Sequence, residues 1–139
     1  MTIPVFSDAW ARSCAEALNL NSAYRSAAAT WEGAILLRML PALPGDGERL
    51  VFLDLWHGDC RAARAASPDD EATARYVLAG TTAAWQQVLT GAVPPLLAIM
   101  TGKLKLTKGA LAELLPYVNA AKELVLTAAS VPSLFPVDG

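Results

Sequence analysis

The segment from Trp85 to Lys105 limits what this 139-residue chain can fold into more than any other. Ala84, Trp85, Val88 and Leu89 share one helical face, and Gly91 supplies the positive-φ position on which a helix stops. Pro94-Pro95 suits the first turn of a second helix, whose expected buried set is Leu96, Leu97 and Met100 and whose end is Gly102. Lys103-Leu104-Lys105-Leu106-Thr107 then alternates polar and apolar residues with the period of a half-exposed strand. Helix, turn, helix, turn and strand follow one another without a linker, so two apolar helices must lie close to the sheet that the strand joins.

The rest of the chain supplies that sheet. Ser7 reads as an N-cap with Asp8 in the first turn, and Trp10, Cys14, Ala17 and Leu18 form the apolar stripe of a first helix. Asn21 reads as the cap of a short second helix through Tyr24. Trp31 to Met39 and Arg49 to His57 read as antiparallel strands joined through a loop containing Pro44 and Gly45-Asp46-Gly47. A tight turn at Gly58-Asp59 leads to a third strand, Cys60 to Ala66, and Ala72 to Ala79 reads as a fourth. Thr81 or Thr82 caps the helix that carries Trp85. Ala110 to Leu115 and a longer helix opened by Pro116 follow, with Val118, Ala121, Leu124, Val125 and Ala128 on one face and Asn119, Lys122 and Glu123 on the wet side. Leu126 falls near that wet side. Residues 132–139, including Leu134-Phe135, are expected to be an irregular tail on a single domain spanning 1–139. Strands grouped with helices around them indicate α+β rather than regular βαβ alternation.

Composition sharpens the question of what the fold encloses. Hydrophobic residues make up 54% of the chain and charged residues only 17%, below the roughly one quarter of an average soluble protein. The surplus requires an apolar cavity, an oligomer interface, or a core rich in alanine. A net charge of −2 gives no field for a phosphate backbone, so nucleic acid is not an expected partner. The first residues lack a basic segment followed by a long apolar run, and no run approaches the ~20 apolar residues of a membrane-spanning helix. A cytoplasmic location without stable membrane insertion is the expectation, with Cys14 and Cys60 as reduced thiols.

Catalytic constellations are thin. His57 is the single histidine, and Asp54, Asp59 and Cys60 beside it make neither a ligand set of known spacing nor a nucleophile–base pair. No Gly-rich phosphate loop, Gly-x-Ser-x-Gly elbow or Cys-x-x-Cys motif occurs. The expectation is a protein that is not an enzyme, with no metal and no cofactor.

Trp85, Gly91, Pro94, Met100 and the run Gly102-Lys103-Leu104-Lys105 together resemble the sterol carrier protein type 2 family. In that family a tryptophan-bearing helix follows strand four, and a Gly-Lys-Leu-Lys type segment opens strand five. One departure is Lys108-Gly109-Ala110, where family members often carry Gly-Asp before the next helix. The resemblance implies a five-stranded mixed, mainly antiparallel sheet with helices covering one face. It also implies a fatty-acid, acyl-CoA or sterol-like ligand between the layers and no catalysis. Trp85, Leu89, Leu97, Met100, Leu104, Leu114, Val118 and Leu124 are then the candidate ligand wall. Their spacing alone fits plain core equally well. Lys103 and Lys105 fit either a solvated strand face or an anion at a cavity mouth. A rival reading keeps the fold but collapses the cavity, leaving an interaction or homodimerisation module; monomer and homodimer both remain open.

Overall fold

A computed structural model describes residues 3–41 and 47–135. The loop residues Pro44, Gly45 and Asp46 and the last four residues of the expected tail lie outside the described residues. The elements run β1 (Ile3–Pro4), α1 (Asp8–Leu20), α2 (Ser22–Ala27), β2 (Glu32–Leu40), β3 (Arg49–Trp56) and β4 (Asp59–Ala65). A 3-10 turn (Pro68–Ala72) precedes β5 (Tyr76–Thr81), α3 (Thr82–Leu89), α4 (Pro95–Met100) and β6 (Leu104–Lys108). The chain continues through α5 (Leu111–Leu114), a second 3-10 turn (Leu115–Tyr117), α6 (Val118–Ser130) and β7 (Ser133–Leu134).

Five strands form one sheet in the order β4-β3-β2-β5-β6. The pairs β2/β3, β3/β4 and β5/β6 are antiparallel and β2/β5 is parallel, which is the expected α+β architecture. Register fixes which residues meet the helices. Gly33, Ile35, Leu37 and Met39 of β2 pair in turn with Leu55, Leu53, Val51 and Arg49 of β3, so the odd positions of both strands share a face. That face lies under α1, α2, α3, α4 and α6. The even positions, Leu36, Leu50 and Phe52, turn to the opposite face, where Val77 and Ala74 complete a second buried cluster.

Local chemistry starts the helices where the sequence indicates. The Trp10 N–H donates to Ser7 Oγ (3.2 Å), the Tyr24 N–H to Asn21 Oδ1 (3.1 Å) and the Ala84 N–H to Thr81 Oγ1 (3.1 Å), each satisfying a donor that the first turn leaves free. Gly91 and Gly102 take φ values of 84° and 82° beyond the ends of α3 and α4. Gly80 has a different role: a Cβ there would sit 2.5 Å from Leu104 Cδ2, so its bare backbone lets β6 and Trp85 close onto β5.

Four expectations need correction. The β3–β4 turn is centred on His57-Gly58, both with positive φ (49° and 86°), rather than on Gly58-Asp59; a two-residue hairpin turn of this kind requires two such positions. The fourth strand starts at Tyr76 rather than Ala72, because Asp70 accepts from the Ser67 N–H (2.9 Å) and winds Pro68–Ala72 into a 3-10 turn. Ser133–Leu134 is not irregular: it pairs in parallel with Ile3–Pro4, with Val5 N–H donating to the Leu134 carbonyl (2.9 Å). Finally, the four tryptophans, one on each of four elements, fit large core fillers by their sequence positions, but they are not equivalent. Trp10, Trp31 and Trp85 are buried, but Trp56 is 38% exposed, stacked on His57 and capped by Arg61.

Candidate ligand-binding site

The layer between sheet and helices is not solid. It encloses a hollow of about 110 Å3. The sheet contributes its floor through Ile35 and Leu37 of β2, Leu53 and Leu55 of β3, Leu78 of β5 and Leu104 of β6. Cys14 of α1 and Tyr24 of α2 stand at one part of the wall, Trp85 and Leu89 of α3 with Leu96 and Ile99 of α4 at another, and Ala120, Leu124 and Val125 of α6 form a roof. Among the described residues no Asp, Glu, Lys, Arg or His side chain lines it.

The wall stays apolar because its indoles are satisfied from behind. Trp10 Nε1 donates to Ser133 Oγ (2.8 Å), Trp31 Nε1 to the Gly33 carbonyl (2.8 Å) and Trp85 Nε1 to the Arg38 carbonyl (2.9 Å). Each ring therefore presents carbon to the hollow while its polar edge is paired with protein, as buried tryptophans require. The Ser133 bond gives the β1/β7 pair a purpose at the site: it holds the end of the chain against α1. Phe6, at a ring separation of 5.3 Å from Trp85 and 5.2 Å from Trp10, wedges the two indoles apart.

One segment of the wall is held differently. Residues 111–117, which contribute Leu114 and Tyr117, form a strap of short turns pinned at two points. At the first, Glu113 Oε2 accepts from the Tyr76 hydroxyl (2.9 Å) and from Arg75 (2.7 Å), and these two donors, the hydroxyl first, hold the Glu113 carboxyl below its ordinary range. At the second, the Tyr117 hydroxyl donates to the Thr30 carbonyl (3.1 Å) while its ring meets Trp31 edge-on at 4.9 Å.

Six of the eight residues singled out in the sequence stand on this wall: Trp85, Leu89, Leu104, Leu114, Val118 and Leu124. Leu97 and Met100 do not. They are 48% and 66% exposed, since on the short α4 the inward positions are Leu96, Ala98 and Ile99, and Leu97 and Met100, three residues apart, occupy the opposite side. Pro95 also lines the hollow, which fixes the face that α4 turns inward. Lys103 and Lys105 are exposed and outside the wall, on the solvated side of β6. The floor from β2 and β3 and the contributions of α1 and α2 were not singled out; strands with apolar residues at both parities carry no signal for which side is lined. His57 does not line the hollow and pairs with Glu32 (2.6 Å) at the hairpin. Among the described residues no cluster of metal-ligating side chains occurs, and no helix is long and apolar enough to cross a membrane. Both thiols are buried and free; burial raises Cys14 to about 12 and Cys60 to about 11, so both remain protonated and inert near neutrality.

An apolar hollow between a β4-β3-β2-β5-β6 sheet and its helical cover can be compared with known proteins. No curated protein matches the chain in sequence. Among solved structures, a crystal structure of sterol carrier protein 2 is 46% identical over 91% of this chain and 98% of its own, with a TM-score of 0.83. A Thermus thermophilus protein described as possibly a sterol carrier protein is 44% identical over 100% of this chain and 97% of its own, with a TM-score of 0.85. The Aedes aegypti sterol carrier protein 2 in complex with palmitate shares the fold at 17% identity, with a TM-score of 0.51 over 85% of this chain and 98% of its own. The profile of the SCP-2 sterol transfer family matches residues 15–112, from within α1 to within α5, so the five-stranded sheet, the Trp85 helix and most of the hollow fall inside the match, and the chain belongs to that family.

Proposed function

We propose that this protein binds a non-polar lipid in the hollow between sheet and helices and carries it without chemically changing it. The observation that carries the reading is the wall itself: a void lined by aliphatic and aromatic carbon, with no charged side chain and no convergent acid and base among the described residues. The Aedes aegypti relative, with palmitate bound on the same fold, supports this class of ligand.

Burial supplies the driving force. Each methylene removed from water contributes about 0.8 kcal/mol, so eight of them favour binding by about 6 kcal/mol before losses of ligand freedom. Size sets a condition on the mechanism. A hollow of about 110 Å3 is smaller than the ~150 Å3 cavity that accommodates benzene in an engineered core. A long acyl chain therefore enters only as the wall yields, and the strap at 111–117 is the wall segment with the least regular structure. Holding the ligand and releasing it are then two positions of one segment, which suits carriage rather than permanent sequestration.

Native mass spectrometry of freshly purified protein tests the reading. Co-purifying lipid adducts, or saturable displacement of the neutral fluorophore N-phenyl-1-naphthylamine by long-chain lipids, are the expected results. A protein that carries no lipid and whose tryptophan emission and probe binding are indifferent to every apolar ligand offered overturns it.

A further inference from the structure

Cations on the two halves of the chain are treated differently. Six of the seven arginines pair with a carboxylate, from Arg12 with Asp8 to Arg75 with Glu113. The four lysines are confined to residues 103–122, and among the described residues none meets a carboxylate. No Asp or Glu occurs between Glu71 and Glu113, so the stretch holding α3, α4 and β6 has no negative side chain. Lys108 donates to the carbonyls of Glu71 (2.8 Å) and Ala72 (3.4 Å). Lys103, Lys105 and Lys122 stand exposed.

Apolar side chains are exposed on the same part of the surface. Leu97, Met100 and Lys103 follow at three-residue steps from the outer side of α4 into the turn before β6, and all three are exposed. Helix α4 packs against α6, whose first residue, Val118, lines the hollow while being 41% exposed, so a single side chain separates void from solvent there. Leu115, half exposed, precedes it on the strap. Apolar residues rimmed by uncompensated cations mark a surface that takes a partner.

Three kinds of partner bring apolar surface with them, and the charges choose among them. A second copy seated face to face sets lysine against lysine. A bilayer interface is gripped by exposed tryptophan, but Trp10, Trp31 and Trp85 are buried and Trp56 is capped by Arg61 beside the β3–β4 turn. The net charge of −2 also opposes approach of the whole molecule to an anionic lipid plane. An acidic helix meets only the patch: its carboxylates complement the lysines, and an exposed methionine beside leucine is the adaptable kind of contact that amphipathic helices use.

We infer that the outer side of α4, with Lys103 and Lys105 on its β6 flank, docks an acidic amphipathic helix of a partner protein beside the thinnest part of the wall. That the partner gives or takes the ligand rests on the carrier reading above; the docking does not.

Fluorescence anisotropy of a labelled helical peptide, with leucine along one face and glutamate on the others, tests the docking on the full chain. The wild type is expected to bind it, less tightly as salt rises, and to ignore the same peptide with lysine in place of glutamate. Lys103→Glu with Lys105→Glu is expected to weaken the acidic peptide by at least about ten-fold and to gain the basic one, a reversal that a misfolded variant does not give. Met100→Ser should weaken binding several-fold, whereas Leu20→Ser, on an equally exposed leucine at the end of α1, should leave it unchanged. No binding to the wild type, equal binding of both peptides, an affinity unmoved by the lysine reversal, or an equal loss in Leu20→Ser overturns the proposal. Wild-type protein that ignores the acidic peptide but sediments with phosphatidylglycerol vesicles assigns the face to a bilayer and overturns it too. A wild type that binds the peptide but no lipid and no N-phenyl-1-naphthylamine keeps the docking surface and removes the carrier reading.

Discussion

The two faces of the five-stranded sheet bury the same kinds of side chain and reach different packing. On one face Leu37, Leu53, Leu55 and Leu78 look into a hollow, under helices held off the sheet by three indoles. On the other, Leu36, Leu50, Phe52 and Val77 close directly on Ala74 beneath the crossover from β4 to β5. The crossover is sealed by charge rather than by more carbon: Arg64 lies over the Phe52 ring at 4.8 Å and donates twice to Asp70 (2.7 and 2.9 Å). Arg38 reaches Glu48 (3.3 Å) and Glu71 (3.6 Å) from the same side. A short 3-10 turn covers the buried cluster on one face, whereas two of the helices over the other each turn a single indole toward the hollow, Trp10 from α1 and Trp85 from α3. The apolar surplus of the composition thus divides between a solid patch and an enclosed space, and the cover, not the strands, decides which.

Adjacent leucines on β2 sharpen this contrast most strongly. Leu36 and Leu37 are both buried, one toward each face. Truncating a buried leucine costs about 2–5 kcal/mol, rising with the void that remains. Leu36→Ala removes a side chain contacted on all sides and belongs at the upper end of that range. Leu37→Ala removes one that already borders empty space, where contacts are fewer, and belongs at the lower end. Urea unfolding of both variants measures the gap; equal losses, or a larger loss at Leu37, mean that the hollow is filled in solution.

Enlarging a side chain reverses the sign of the test. Ala74→Leu forces carbon into the closed patch and is expected to cost about 1–3 kcal/mol, as overpacking does. Ala120→Leu places the same atoms against the hollow, where α6 roofs it. Its stability should fall by less than that of Ala74→Leu or rise, while binding of N-phenyl-1-naphthylamine drops sharply. Thermal unfolding together with probe titration reads both. An Ala120→Leu variant that binds the probe as the wild type does shows that ligands sit elsewhere.

How much of this was legible in the sequence follows the same division. The helix caps Ser7, Asn21 and Thr81, the stops at Gly91 and Gly102 and the succession of the five sheet strands along the chain are local signals, whereas the parallel pairing of β2 with β5 is not. Trp85, Leu89 and Leu104 stand at the wall because a period of 3.6 or 2 fixes their face once the family pattern supplies a ligand. Leu97 and Met100 were misplaced because a helix as short as α4 has too few apolar positions to define a face. The floor from β2 and β3 was invisible because both parities are apolar when both faces are buried.

Two carboxylates extend the comparison to its smallest effects, because one belongs to each cover. Arg64, with the Ser67 N–H, holds Asp70 at about 2, below the ordinary 3.8. The stability it contributes is complete above the ordinary value and disappears as pH falls through the lowered one. Glu113 has the same sign: the Tyr76 hydroxyl and Arg75 hold it low, so its contribution is present at neutrality and lost in acid. What differs is the segment that each secures. Asp70 fastens the crossover to a closed patch that unfolds with the whole sheet, so Asp70→Asn should flatten the acid limb of the global unfolding curve, by no more than about 1 kcal/mol. Glu113 fastens the strap over a void, where few contacts oppose local opening. Glu113→Ala should therefore leave the urea midpoint nearly unchanged at neutral pH while amide hydrogen exchange accelerates across residues 111–117 and the probe leaves faster. Wild-type protein should show the same local acceleration as pH is lowered through the acid range, once the intrinsic pH dependence of exchange is removed. If Glu113→Ala instead lowers the midpoint at neutral pH, as Asp70→Asn does, the strap belongs to the global folding unit and the entry route for a ligand must be sought between α3 and α4.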